Sequence, residues 1–224
     1  MNSFELLEVI IDAGKQPYVQ PVIRELQDYH LPTYLHSIHV AMVSAQIALE
    51  YGLNITRIKY IAEGALIHDA GKLDVPLSIL NKPGKLTAEE LEEIRKHPVN
   101  SYKRAKEMKA PLIPSLICLM HHYYLNGSGY PSSFPDEIDH SRIPTEARIV
   151  TTSDIFCAIV SPRSYKDSLE NIYAIGEIYQ GLARGKLDAR FAKILDTLVQ
   201  ENRLLLNVGS FAERRVTSGI IKKV

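Results

Sequence analysis

The sequence predicts an all-α protein. Apolar residues recur at helical spacing through most of the 224 residues, and glycine or proline falls between the apolar stretches, where it would end a helix. No stretch alternates with strand period over a useful length, apart from a possible short piece at 216–221. These observations predict a single helical bundle domain of roughly eight to ten helices.

The first half of the chain is predicted to contain five helices. Thr33 can cap the third helix and Gly52 can end it, while Thr87 and Glu90 form a capping box that opens the fifth. A proline-rich loop with one turn at most, 76–84, precedes that box. The predicted helices are 1–11, 17–29, 33–51, 56–68 and 88–96.

In the second half of the chain, the sequence predicts five more helices around one irregular segment. Residues 126–139 are rich in glycine and proline and poor in apolar residues, which indicates a loop. The helices are predicted at 98–110, 113–122, 144–160, 169–183 and 189–201. No repeat or polar linker divides the chain, so we interpret 1–30 as an N-terminal helical extension packed on the core and 31–224 as the main domain.

Composition excludes several classes of function. Lys plus Arg and Asp plus Glu both number 26, so no net field recruits polymeric nucleic acid or anionic lipid, and a nucleotide would be held by local charge. No apolar stretch reaches the length of a membrane span, and acidic residues stand where a signal peptide needs basic ones. Cys118 and Cys157 lie in apolar runs and are interpreted as core residues, which predicts a cytoplasmic protein.

The segment His68-Asp69-Ala70-Gly71-Lys72 follows the apolar run 55–67 and combines metal-ligand types. A carboxylate has two oxygens, so Asp69 could bridge two cations while His68 binds one. Lys72 lies one turn beyond His68 and could reach an anion held by those cations. These five residues alone leave open a simpler interpretation, a helix that ends at Gly71 with a solvated His-Asp pair.

Further candidate ligands are scattered along the chain. A buried carboxylate inside an apolar helix, such as Asp154, needs a cation or several hydrogen-bond donors. Each histidine alone is more often structural, but together the candidates offer five imidazoles and two carboxylates, enough for two metal ions with water completing the coordination. Besides His68 and Asp69, the set comprises His36, His97, His121, His122 and Asp154.

The order and context of these residues resemble the HD-GYP subgroup of the HD phosphohydrolase superfamily. The resemblance covers about residues 32–166. It is carried by His36-Ser37, His68-Asp69-Ala70-Gly71-Lys72, Lys82-Pro83-Gly84-Lys85-Leu86-Thr87, His97-Pro98, His121-His122, Asn126-Gly127-Ser128-Gly129-Tyr130-Pro131, Asp154, and Arg163 with Tyr165 and Lys166. The loop with Gly-Ser-Gly-Tyr-Pro, downstream of a His-His pair, is the most specific part.

The resemblance implies an HD-domain-like bundle that holds two divalent ions, usually iron or manganese, although nickel or zinc would also suit the ligands. It implies hydrolysis of cyclic di-GMP by attack of a metal-bridging hydroxide, with linear pGpG or GMP as the final product. Carried over residue by residue, one ion would be held by His36, His68, Asp69 and Asp154, and the other by Asp69, His97, His121 and His122.

The resemblance also implies roles for the substrate-facing residues. Lys72 would stabilise or protonate the leaving oxygen, Tyr130 would pack on a guanine or ribose, and Arg163 and Lys166 would hold the second phosphate and base. From the residues alone, Arg163 and Lys166 could equally be a solvated basic turn, and Tyr130 a loop anchor.

Four positions depart from the family pattern. Tyr123 stands where the family usually has Glu after the His-His pair, and Ser164 replaces a usual Pro. Pro32 occupies the position of a third-metal Glu, so we predict two ions rather than three. His39 replaces a more frequent Arg and is interpreted as structural or as supporting a ligand, with direct metal ligation as the lesser alternative.

Three functions therefore remain open. The first is a cyclic di-GMP phosphodiesterase, and the second is a related hydrolase of another cyclic dinucleotide, a linear dinucleotide or a nucleotide monoester. The third is a non-hydrolytic signalling module that binds nucleotide or protein. A function in signalling would also bring sensory or signalling proteins as partners.

Overall fold

The computed structural model describes residues 1–134, 142–160, 168–208 and 210–220, and it confirms the all-α prediction. Within these residues there are two short 3-10 helices, Ala70–Asp74 and Leu205–Val208, and twelve α-helices. The α-helices are α1 (Ser3–Gly14), α2 (Gln20–Tyr29), α3 (Leu31–Glu50), α4 (Ile55–Ile67), α5 (Leu77–Leu80), α6 (Ala88–Arg95), α7 (His97–Glu107), α8 (Leu112–Met120), α9 (Thr145–Ile159), α10 (Ser168–Ala183), α11 (Ala189–Gln200) and α12 (Ser210–Ile220).

Helix α3 lies at the centre of the bundle. Its residues are buried on nearly every side between Thr33 and Ala48, as expected of a helix that is apolar all round. It packs against α4 and α9, while α4 also packs against α1 and α8, and α7 packs against α8. Candidate ligands on α3 and α9, and just beyond the ends of α4 and α8, are therefore brought to one place.

Two predicted caps have different outcomes. The capping box at Thr87 is confirmed, because the Thr87 hydroxyl accepts from the Glu90 N–H and the Glu90 carboxylate accepts from the Thr87 N–H. The cap at Thr33 is wrong. Helix α3 starts earlier, at Leu31, and the His30 side chain caps it by accepting from the Thr33 N–H at 3.3 Å.

The possible strand near the C-terminus is also wrong, because residues 210–220 form α12. Ala212, Val216 and Ile220 recur every four residues and are all buried, and α12 packs against α1. A spacing of four places these side chains on one helical face, whereas a half-buried strand would need alternation.

The N-terminal helices contribute to the same apolar core as the rest of the bundle, through residues such as Leu6, Ile10 and Ile23. The division at residue 30 stays a prediction. Cys118 and Cys157 are both buried free thiols, as predicted. Among the helices of the described residues, none combines the length and apolar character that crossing a bilayer requires.

Candidate metal centre

The predicted ligands lie in two adjacent clusters between α3, α4, α7, α8 and α9. The first cluster is His36, His68 and Asp69, and the second is His97, His121 and His122; within each, the ligating atoms lie within 4.8 Å of one another. Asp154 lies between the clusters. Its Oδ1 is 2.8 Å from His36 Nε2, and its Oδ2 is 3.7 Å from His122 Nδ1.

Asp69 faces both clusters. Its Oδ2 is 3.5 Å from His68 Nε2, and its Oδ1 is 3.2 Å from His97 Nε2. Lys72 Nζ donates to Oδ2 at 2.7 Å, with 22% of its side chain exposed at the edge of the first cluster. The carboxylate thus has one oxygen toward each cluster, the arrangement that a bridging ligand requires.

The backbone around Asp69 is set by a close approach to α7. Helix α4 ends at Ile67 and the 3-10 helix starts at Ala70, so His68 and Asp69 lie at the break between them. The N–H of Gly71 donates to Ser101 Oγ at 2.7 Å, and a Cβ on Gly71 would lie only 2.2 Å from the carbonyl oxygen of His97. The simpler interpretation, a helix ending at Gly71 with a solvated pair, is wrong, because His68 and Asp69 are 0% and 1% exposed.

Three of the imidazoles are held in one tautomer. The Nδ1 atoms of His68, His97 and His121 lie 2.7, 2.7 and 2.9 Å from the carbonyl oxygens of Ala65, Ile94 and Cys118. A carbonyl can only accept, so each Nδ1 carries the proton. In each neutral ring the lone pair is therefore on Nε2, which faces the clusters.

The donor atoms fit a bound cation. His97 Nε2 and His121 Nε2 are 3.0 Å apart, and both are lone-pair atoms without a proton to share. Within the described residues, the buried His68 Nε2 and Asp69 Oδ1 have no hydrogen-bond partner. Buried acceptors that face one another need a Lewis acid between them. Two nitrogens at about 2.1 Å from one ion, at right angles, would lie about 3 Å apart.

Burial and neighbouring charges keep most of this donor set in its ligating form. Burial lowers the pKa of His97 to about 3 and of His122 to about 4, and it lowers the pKa of His121 well below the usual value. Burial acts to raise the pKa of Asp69 and of Asp154, but charged neighbours more than reverse this effect. Lys72 and then His68 hold the pKa of Asp69 well below its ordinary range, and the hydrogen bond from His36, with His68 close by, does the same for Asp154.

His68 is the exception in this set. Burial acts to lower its pKa, but the nearby Asp69 and Asp154 and the Ala65 carbonyl together raise it. The two carboxylates therefore provide the negative charge that favours a proton on His68. A bound divalent cation would neutralise the same charge in place of that proton.

The loop after His122 folds back onto the second cluster. Gly129 has a φ of +98°, and a Cβ there would lie 2.1 Å from the His122 carbonyl oxygen, which accepts from the Tyr130 N–H at 3.1 Å. The Tyr130 ring therefore packs on His122, with centroids 4.5 Å apart. Tyr123, in place of the usual Glu, packs edge to face on Phe134.

The remaining predicted residues lie elsewhere. Arg163 and Lys166 fall outside the described residues. His39 is buried and its Nε2 is 2.7 Å from Glu213 Oε2 on α12, in agreement with a structural role. Ser101, the acceptor for the Gly71 N–H, is not identifiable from the sequence, because nothing in the local pattern around it distinguishes it from other polar helix residues.

One family model and several known proteins match this chain in sequence. A family model described as HD domain matches residues 20–191. The cyclic di-GMP phosphodiesterase response regulator RpfG of Xanthomonas campestris pv. campestris is 36% identical over 65% of this chain and 37% of its own length. The 3′3′-cGAMP-specific phosphodiesterase 1 of Vibrio cholerae is 30% identical over 76% of this chain and 38% of its own length.

A solved structure shares the fold. The HD domain of the L. monocytogenes phosphodiesterase PgpH, in complex with cyclic-di-AMP, has a TM-score of 0.61 and 24% identity, over 81% of this chain and 95% of that one. This chain spans less than half the length of the curated relatives that it matches.

Proposed function

The chain belongs to the HD-domain family, as its resemblance to the HD-GYP subgroup predicted, and from this premise we propose that it is a metal-dependent phosphodiesterase of cyclic di-GMP. The product would be linear pGpG, with GMP following if the second diester is also hydrolysed. The observation that carries the proposal is the pair of buried Nε2 atoms, His97 and His121, that face each other at 3.0 Å without a proton between them.

We assign the ligands as the resemblance implies. His36, His68, Asp69 and Asp154 would hold one divalent ion, and Asp69, His97, His121 and His122 would hold the other; iron or manganese is favoured, with nickel or zinc as alternatives. When bound, such ions lower the pKa of water and neutralise phosphodiester charge. The position of Asp69, with one oxygen toward each cluster, supports its role as the shared ligand.

The chain's own residues would complete the site. Lys72 holds Asp69 ionised and is partly exposed, so its remaining N–H groups can donate to a phosphate oxygen or to the leaving 3′-oxygen. Tyr130 packs on His122 and would offer its other face to a guanine or ribose. We retain Arg163 and Lys166 as the residues that hold the second phosphate and base.

A substrate panel tests the function. Protein purified anaerobically and loaded with iron or manganese is assayed against cyclic di-GMP, 3′3′-cGAMP, cyclic di-AMP, pGpG and nucleotide monoesters, with elemental analysis of the same samples. We expect turnover of cyclic di-GMP in proportion to bound metal. Turnover of monoesters without any cyclic dinucleotide would remove the proposal, and stable binding without turnover would favour a signalling module.

A second substrate is favoured by one observation. A relative that covers 76% of this chain is named for 3′3′-cGAMP, so a cyclic dinucleotide with one adenine is the principal alternative. The two candidates share the diester chemistry at the metals, and they differ only in the recognition of one base. The ratio of kcat/KM for the two substrates in the same panel decides between them.

A further inference from the structure

A cleft of about 680 Å³ lies beside the metal centre, between the α6–α7 corner and the loop that carries Tyr130. Tyr130 lines the cleft and also contacts the second cluster. Its ring packs on His122 on one side, and the Arg95 guanidinium lies 6.0 Å from its centroid. The cleft therefore starts where the second cluster ends, and a molecule held at the metals could extend into it.

The cleft is lined by more positive than negative charge. Arg95, Lys96 and Lys103 supply three cations against one carboxylate, Glu92, which is paired with Arg95. Lys96, which directly precedes α7, and Asn100 and Lys103 within it follow one another at helical spacing, so the three lie on one side. Another face of the same helix buries His97 and Ser101, so α7 connects the cleft to the metal centre.

Lys103 is the cation most available to a ligand. Arg95 and Lys96 have carboxylate partners in Glu92 and Glu93. Lys103 is exposed, and among the described residues no carboxylate forms an ion pair with it. A phosphate group that entered the cleft would find donors from Lys103 and Asn100, with the Tyr130 ring as a neighbouring surface for a base or sugar.

We propose that this cleft is a phosphate-binding subsite, which adds donors, beyond those assigned to Arg163 and Lys166, for a second phosphate group of a nucleotide substrate while its scissile diester lies at the metals. The proposal rests on the proposed function and extends it to residues that the resemblance did not assign. Two phosphates have this chemistry: the second diester of a cyclic dinucleotide, and the terminal 5′-phosphate of the linear product. The latter carries a charge of about −1.5 to −2 and would be held for the second hydrolysis.

The test compares Lys103→Ala with Lys106→Ala, which removes the same charge from the same helix outside the cleft. Both lysines are exposed, so neither substitution disturbs the core. The probe reaction is hydrolysis of bis(p-nitrophenyl) phosphate by the manganese-loaded protein, because this substrate has a single phosphate and cannot reach both sites. Dinucleotides are added as competitors, whether or not they are themselves cleaved.

We expect Lys103→Ala to leave kcat and KM for bis(p-nitrophenyl) phosphate within twofold of wild type. The inhibition constants of dinucleotides should rise about tenfold, the loss expected for one charge-assisted hydrogen bond. Lys106→Ala should change neither. A rise with cyclic di-GMP identifies the second diester as the ligand. A rise with pGpG but not with unphosphorylated GpG identifies the terminal phosphate.

The outcomes separate this proposal from the function itself. Equal inhibition constants for Lys103→Ala and Lys106→Ala would overturn the subsite even if cyclic di-GMP is hydrolysed. If the wild type cleaves none of the dinucleotides but Lys103→Ala alone raises their inhibition constants, the proposed function is overturned and the subsite is kept. Dinucleotides that neither react nor compete would overturn both.

Discussion

The close contact between the 3-10 helix and α7 makes Gly71→Ala the most informative single substitution. The new Cβ would meet the His97 carbonyl oxygen at 2.2 Å and the Ser101 nitrogen at 2.7 Å, whereas ordinary contact begins at 3.4 Å. Both neighbours are backbone atoms, so the two elements must separate by about 1 Å. This movement carries Asp69 away from His97, whose ligating atoms are 3.2 Å apart.

The expected loss has two parts. Overpacking of this kind costs about 2 kcal/mol, which in a chain of this length lowers Tm by about 4–8 °C. A displacement of about 1 Å in a catalytic ligand costs about 100-fold in rate. Thermal unfolding of chelator-treated protein measures the first part without metal, and hydrolysis with elemental analysis measures the second.

Gly176→Ala is the matched control. Gly176 is exposed in α10, and a Cβ there would meet no heavy atom within 4 Å. Alanine should therefore stabilise the helix by about 0.5–1 kcal/mol and leave hydrolysis unchanged. A Gly71→Ala variant with wild-type Tm and a full metal complement would refute the reasoning, because the contact would then be soft enough to absorb a methyl group.

Three further predictions concern the site and the core. His97→Ala and Asp69→Ala should each abolish hydrolysis and lower metal content by elemental analysis; full activity with both metals bound in His97→Ala would show that the ligand assignment is wrong. Arg163→Ala should mainly raise KM for the cyclic dinucleotide and leave kcat nearly unchanged, so a large loss of kcat alone would contradict its role in substrate binding. Burial raises the pKa of Glu63 above its ordinary value of 4.5, and Tyr18 donates a hydrogen bond to this carboxyl. The stability that the protonated carboxyl contributes is therefore lost as the pH rises above 4.5. Glu63→Gln keeps an acceptor for Tyr18 without the charge and should raise Tm at pH 7 by about 2–4 °C, with no gain at pH 4; an equal effect at both pH values would exclude the titration.

The elements that sequence analysis predicted well are those with strong periodicity and local end signals. The capping box at Thr87 depends on residues three apart in sequence, so it can be recognised without knowing the fold. The start of α3 was misplaced because histidine is an uncommon cap, and Thr33 is a more usual one. At the C-terminus, a short apolar pattern was compatible with either period until its packing against α1 was known.

The candidate ligands could be selected from the sequence, but the contacts that position them could not. Ser101 accepts from Gly71 across thirty residues, and Glu213 reaches His39 across more than a hundred. Such pairs depend on which helices become neighbours, and no local pattern encodes that. The basic cleft was missed for the same reason, since one wall comes from α6–α7 and the other from the loop around Tyr130.

Helix ends give a physical reason for where three of the ligands lie. His68, His97 and His121 each bond the carbonyl three residues earlier, in the last turn of α4, α6 and α8. Carbonyls in the last turn of a helix lack the regular N–H donor four residues later within the helix, so the imidazole satisfies one of them and is thereby oriented, with Nε2 left free to face the site. The negative end of the helix also favours the positive charge that a bound cation would bring. His36, in the interior of α3, bonds Asp154 on another helix instead. A histidine just beyond a helix end is therefore a stronger candidate ligand than one within a helix, because its own helix fixes the tautomer before any partner arrives.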